Sequence, residues 1–131
     1  MSILDNINLP ETPDGRAVAA YILAQDNKAF GNHAEFFAED VHFNGLVLNA
    51  KGAAKIAEEM DRFLPAVAHL SVEAGTRVED GATCRYLVLY RFKLQGQADT
   101  QPLCDHITVV DGKIVRVDNI FDVTLLPPMP S

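Results

Sequence analysis

The apolar residues of the chain follow a helical period in its first half and a period of two in its second. Thr12-Pro13-Asp14 sets a hydroxyl side chain ahead of a proline, the arrangement that suits a helix N-cap and first turn. Val18, Tyr21, Ile22 and Gln25 then recur at steps of three and four, with Ala17, Ala20 and Ala24 among them. This predicts an amphipathic helix to about Phe30, stopped by Gly31-Asn32. A short helical turn is expected over 33–38, offering Phe36 and Phe37 to the core, before Glu39-Asp40 leads into an extended stretch over 41–48. Lys51-Gly52 opens another helix, in which Ala53, Ile56, Ala57, Met60, Phe63 and Leu64 repeat at three and four until Pro65 ends it.

From His69 onward Leu70, Val72, Ala74 and Val78 alternate with Ser71, Glu73, Arg77 and Glu79, which predicts a half-buried strand. Asp80-Gly81 then supplies the positive φ angles of a tight hairpin. In the next strand, 83–94, Tyr86, Val88, Tyr90 and Phe92 share one face while Arg85, Arg91 and Lys93 punctuate the other. Gln95-Gly96-Gln97 turns the chain into a strand over 100–110, and Asp111-Gly112 turns it again into a last strand over 113–123. Residues 125–131, with three prolines, are expected to form a docked or frayed tail. The order is that of an α+β protein: a curved, mixed but mostly antiparallel sheet wrapped around helices packed on one face, forming a cone with an apolar interior.

Composition narrows the picture. With 131 residues, no internal repeat and no linker, a single domain is expected. Eleven Lys and Arg against 18 Asp and Glu give a net charge of −7. The chain has no basic cluster, so nucleic acid and anionic membrane are not expected partners. No long apolar run and no basic leader segment is present, which makes a soluble cytoplasmic protein the expectation. Cys84 and Cys104 are expected as reduced core or near-core thiols. No metal-ligand spacing, phosphate loop or Ser or Thr nucleophile motif occurs, so no metal and no cofactor is expected.

The order of elements, Phe37-Ala38-Glu39-Asp40 ahead of the first strand, Lys51-Gly52 at a helix start, and Asp111-Gly112-Lys113-Ile114 between the last strands together resemble the NTF2-like superfamily. The likeness is to its cystatin-like branch of SnoaL-like polyketide cyclases and ketosteroid isomerases, over roughly Asp14 to Val123. This resemblance implies a cone enclosing an apolar cavity that takes a small apolar carbonyl-type molecule, without a cofactor. It also implies that Tyr21 and Asp105, the latter within Pro102-Leu103-Cys104-Asp105-His106, are the paired oxyanion donors of a ketosteroid isomerase-like site. The fold hosts enzymes, binding proteins and transport factors alike, so the reaction is decided by the site.

Asp105 shares its strand face with Leu103, Ile107 and Val109, so its carboxyl stands in an apolar row where desolvation favours the neutral, hydrogen-bond-donating form. The bland alternative is a strand-end carboxylate that reaches solvent or a basic neighbour, and for Tyr21 it is an ordinary core tyrosine. The position that carries the base in the isomerase falls on Gly45, and no carboxylate lies between Asp40 and Glu58. His42 and Asp40 are the candidate substitutes. On the last strand Val115, Val117, Asn119, Phe121 and Val123 are expected to face inward, which leaves Asp118 and Asp122 outside unless a bulge turns Asp122 in. Asn119 falls on an aspartate position of the similar limonene-epoxide hydrolases. Phe37, Phe43, Met60, Tyr86, Val88, Tyr90, Asn119 and Phe121 are the expected ligand-binding residues. His106 is expected on the convex face with Cys104 and Thr108, where a homodimer would form, and His33 and His69 in solvent. Two functions stay open: a cofactor-free isomerase or cyclase, and a non-catalytic ligand-binding or dimeric scaffold protein.

Overall fold

Thr12 caps α1 (Pro13–Asp26): its side-chain oxygen accepts the Gly15 N–H at 3.3 Å, and Pro13 occupies the first helical turn. Gly15 has no side chain because Pro10 fills the space where a Cβ would stand. The computed structural model describes residues 2–31, 35–45 and 48–120. Beyond α1 these contain β1 (Phe37–Asn44), β2 (Asn49–Lys51), α2 (Ala53–Phe63), β3 (Val67–Asp80), β4 (Thr83–Leu94), β5 (Gln101–Val110) and β6 (Lys113–Ile120). The six strands form one sheet in the order β2-β1-β6-β5-β4-β3, antiparallel throughout except for the parallel β1–β6 pair. Two helices on one face of a mixed sheet are the α+β architecture expected. Among the described residues no helix is long and apolar enough to cross a membrane.

Three local readings change. The first helix ends at Asp26 rather than Phe30, because Lys28 takes a left-handed φ of 55°. The Ala29 and Lys28 N–H groups then bond back to the Ala24 and Gln25 carbonyls, a Schellman closure. Phe37 and Ala38 belong to β1 and not to a helical turn, since Phe37 pairs with Ile114 of β6, a partner far along the chain. Residues 32–34 of that expected turn lie outside the described residues, and so do Leu46 and Val47 of the expected stretch 41–48. Pro65 sits inside a short 3-10 turn, Leu64–Ala66, that carries α2 into β3.

Bulges correct two strand faces. The β3–β4 register shifts between Val72 and Ala74, so Val72 faces the core while Ala74 and Val78 turn to the surface, Val78 with 60% exposure. The same shift brings Arg77, expected outside, opposite Tyr86 on the inner face. A shift between Thr108 and Val109 in the β5–β6 pairing makes Val115 the displaced residue, so Ile114 is fully buried and Val115 only half-buried. Val117 and Asn119 keep the expected orientation. The core fills the space between helices and sheet with Val18, Ile22, Val41, Ile56, Val88 and Ile107 at its centre.

Candidate functional site

Asp105 lies near the middle of β5, directly across from Val88 on β4 and Asn119 on β6. Alternation places it on the face of Ile107 and Val109, and it is completely buried. α1 crosses this face. The helical spacing that puts Val18 and Ile22 in the core also directs Tyr21 and Gln25 at the sheet. Tyr21 is wedged among Phe30, Phe36 and Phe37, each with its ring centroid 5.9 Å away, which fixes the direction of its hydroxyl.

The polar ends of these side chains form one buried network. Tyr21 donates from its hydroxyl to Asp105 Oδ2 at 3.2 Å, and Asn119 Nδ2 donates to Asp105 Oδ1. Gln25 Nε2 donates to Tyr21 Oη at 3.4 Å, and Tyr90 donates its hydroxyl to Gln25 Oε1 at 3.0 Å. Burial pushes the Asp105 carboxyl up, hydrogen bonds from Asn119, Tyr21 and Tyr90 hold it back, and the balance is about 7. Burial raises the Tyr21 and Tyr90 hydroxyls well above the usual tyrosine value, with the Asp105 charge adding to it. Asp105 therefore exchanges its proton near neutrality while both tyrosines keep theirs. Such a group can accept hydrogen bonds when ionised and donate one when neutral.

Gly45, where the resemblance would place a base, explains its own lack of a side chain. A Cβ there would collide with the Asn119 amide oxygen and approach Phe43 Cε1 to 2.8 Å. An aspartate at 45 and the asparagine at 119, as oriented here, exclude each other. His42 pairs with Lys51 and Arg116 while its neighbours Val41 and Phe43 are buried, so it lies on the sheet face opposite the network. Asp40 is exposed at the shift between Phe37 and His42. Phe37, Phe43, Met60, Tyr86, Val88 and Tyr90 are buried in the core, and Asn119 is half-buried in the network. Phe121, Asp122, His33 and the tail 125–131 lie outside the described residues.

On the opposite face, His106 and Asp118 stand outward as expected. Asp118 accepts from Arg116 Nε at 2.9 Å and from Asn44 Nδ2 at 3.0 Å, with His106 Nδ1 3.9 Å away. His69 is exposed beside Ser71. Cys84 is buried and Cys104 half-buried, both as free thiols. No group of three or more His, Cys, Asp or Glu among the described residues is placed to hold a metal.

Two features escape a reading by sequence. Gln25 is the buried link between the two tyrosines, and its signal was a polar residue at a core position of the α1 period. The other is a second carboxylate cluster. Asp14 in the first turn of α1 accepts from Arg77 Nε at 2.9 Å and from the Tyr86 hydroxyl. Burial alone would raise Asp14, but bonds from Arg77, Tyr86 and Thr12 outweigh it and hold the carboxyl well below its usual range. The Arg77 guanidinium lies 6.0 Å from the Tyr86 ring centroid.

Residues 18–117 match the SnoaL-like domain family. No curated protein matches the chain. Among solved structures, a steroid delta-isomerase from Pseudomonas aeruginosa superposes with a TM-score of 0.73 at 14% identity, covering 89% of this chain and 86% of that one. An LEH-like epoxide hydrolase from M. tuberculosis gives 0.65 at 22% identity, covering 88% and 87%. TerC, co-crystallised with polyporic acid, gives 0.65 at 20% identity, covering 86% and 94%. At these identities the likeness is one of fold.

Proposed function

The chain belongs to the family of SnoaL-like domains, and on that premise we propose that it binds a small, largely apolar molecule through a carbonyl or enol oxygen. Tyr21 and Asp105 are the hydrogen-bonding pair, and they polarise that oxygen toward the enol. The observation that carries this reading is a carboxyl with no exposure, bonded to a buried tyrosine and, among the described residues, lacking any charged partner in its network. A carboxyl in that setting is costly for stability, and its neutral form is a strong donor in an apolar site. Structures of similar fold include proteins described as a steroid delta-isomerase and an epoxide hydrolase, which agrees with chemistry at a small apolar ligand.

The test is binding of an aromatic ketone such as acetylnaphthalene at pH 6, where Asp105 is mostly protonated. Tyr21→Phe and Asp105→Ala are each expected to weaken binding at least about tenfold, the worth of one good hydrogen bond. Equal affinity in wild type and both variants, or no binding by any of them, overturns the reading. Binding without turnover is the second reading, favoured by Gly45, since the Asn119 amide fills the space that a base at 45 would need. Ketone bound tightly with no exchange of its α-hydrogens for deuterium would select it.

Self-association through the outer sheet face is proposed alongside. Ala74, Leu89, Cys104 and Ile120 lie directly across from one another on four strands, with Leu87 beside them. Leu87 and Ile120 are 44% and 56% exposed. Sedimentation of Leu89→Glu as a monomer and of the wild type as a dimer would support it; a monomeric wild type sinks it.

A further inference from the structure

Gln25 stands between two tyrosine hydroxyls that have the same competing acceptor. Its Nε2 donates to Tyr21 Oη and its Oε1 accepts from Tyr90 Oη, while the Asp105 carboxylate accepts from Tyr21 and competes for the Tyr90 hydrogen. A phenolic hydroxyl has one hydrogen to give and two lone pairs to fill. Without the amide the two hydroxyls would be alike. With it, the amide oxygen takes the Tyr90 hydrogen, while the amide N–H fills a lone pair of Tyr21 and leaves the Tyr21 hydrogen for another acceptor.

That acceptor is Asp105 Oδ2 when the carboxyl is ionised. Because Asn119 already donates to Oδ1, an added proton resides on Oδ2, the oxygen that faces Tyr21. Oδ2 then has a hydrogen of its own and no longer claims the one on Tyr21. We propose that Gln25 is a positioning residue that makes Tyr21, and not Tyr90, the hydroxyl free to turn to a ligand oxygen, and that protonation of Asp105 releases it. The consequence for a ligand rests on the function proposed above, whereas the arrangement of hydrogens belongs to the ligand-free protein.

Among the described residues, the groups that face Asp105 are few. Tyr21 and Gln25 come from α1, Tyr90 from β4 and Asn119 from β6. Its neighbours on β5, Cys104 and His106, point to the outer face, where His106 stands by Asp118 and Arg116. Of the two acids of α1, Asp14 is held by Arg77 and Tyr86 at the far end of the helix and Asp26 is exposed.

The experiment has two arms. In the first, the Asp105 carboxyl is titrated by carbon NMR in the ligand-free protein, as wild type, Gln25→Glu and Gln25→Met. A glutamate takes hydrogens from both tyrosines and adds a negative charge, so the Asp105 midpoint is expected to rise by at least about one pH unit. A methionine has the same length but no acceptor for the Tyr90 hydrogen, which then becomes available to Asp105, so the midpoint is expected not to rise. Equal upward shifts in both variants, or none in either, overturn the inference, because a space-filling role treats the two alike. In the second arm the ketone affinity of the wild type is expected to fall about tenfold per pH unit above the Asp105 midpoint, since a ketone accepts but cannot donate. Gln25→Glu is expected to bind as weakly as Tyr21→Phe at every pH. Wild-type-like binding by Gln25→Glu beside a weak Tyr21→Phe overturns the inference and leaves the proposed function standing. No ketone binding by any protein ends the proposed function, and the midpoints of the first arm still decide the role of Gln25.

Discussion

Helix α1 enters two carboxylate–tyrosine pairs, Asp14 with Tyr86 of β4 at one end and Tyr21 with Asp105 of β5 farther along. Both acids accept a phenolic hydrogen and both are largely removed from solvent, Asp14 with 13% side-chain exposure and Asp105 with none. They differ in one neighbour. Arg77 adds a guanidinium to the first pair, brought to the inner face by the bulge in β3, whereas among the described residues the second pair has only neutral donors. The result is a permanent anion at the start of the helix, where the helix dipole also favours it, and an exchangeable proton in the interior. One cluster fastens α1 to the β3–β4 hairpin; the other has a protonation state that ordinary pH can change.

The largest test of that contrast is the pH dependence of stability. Asp105 titrates at about 7 in the folded protein against 3.8 as a free side chain. Between those values the folded state keeps a proton that the unfolded state has released. Stability therefore falls as pH rises through this window, and is level above it. Three units at about 1.4 kcal/mol each make the loss on the order of 4 kcal/mol. Urea unfolding at pH 4 and pH 8 should show this loss in the wild type relative to Asp105→Asn; parallel behaviour of the two would mean that Asp105 is already ionised in the fold.

Asp14 has the opposite sign, being held low, so its support is present above the usual carboxylate range and fades as pH falls below it. Asp14→Asn is expected to destabilise the protein by about 2 kcal/mol at pH 7, the worth of a charged hydrogen bond, with the gap to wild type narrowing in acid. A gap that is constant down to pH 2 would remove the charge from the explanation. The smallest effect sharpens the separation between the clusters. Asn119→Ala deletes a donor to Asp105 and is expected to raise its midpoint by about one unit, whereas Tyr86→Phe leaves it in place. Carboxyl NMR distinguishes these outcomes, and a shift of Asp105 in Tyr86→Phe would show that the two clusters act as one.

Much of the fold is legible from local pattern because period and punctuation are local properties. Thr12-Pro13 begins α1, the alternation of Tyr86, Val88, Tyr90 and Phe92 gives β4 its buried face, and Asp111-Gly112, with positive φ at both residues, makes the last hairpin. The β3–β4 turn falls one residue later than expected, on Gly81-Ala82, because Asp80 still pairs with Thr83. Tyr21 and Asp105 could be chosen as neighbours because strand parity and helix spacing both point inward, and they are 3.2 Å apart. The partners that set their chemistry were less accessible. Asn119 was oriented correctly through a bulge that displaced Val115 instead, but its bond to Asp105 depends on the β5–β6 register.

By itself, then, the sequence determined which segments are helix and strand over most of the chain, and that Asp105 stands in an apolar row. Tertiary structure decided that 37–38 join a parallel strand, that Arg77 turns inward to claim Asp14, that Gln25 links two tyrosines, and that Asn119 leaves no space at Gly45. The physical reason is one of range. A side chain's face follows from its immediate neighbours, but a bulge shifts that face by one residue. The owner of a buried proton is settled by groups brought together from α1, β4, β5 and β6.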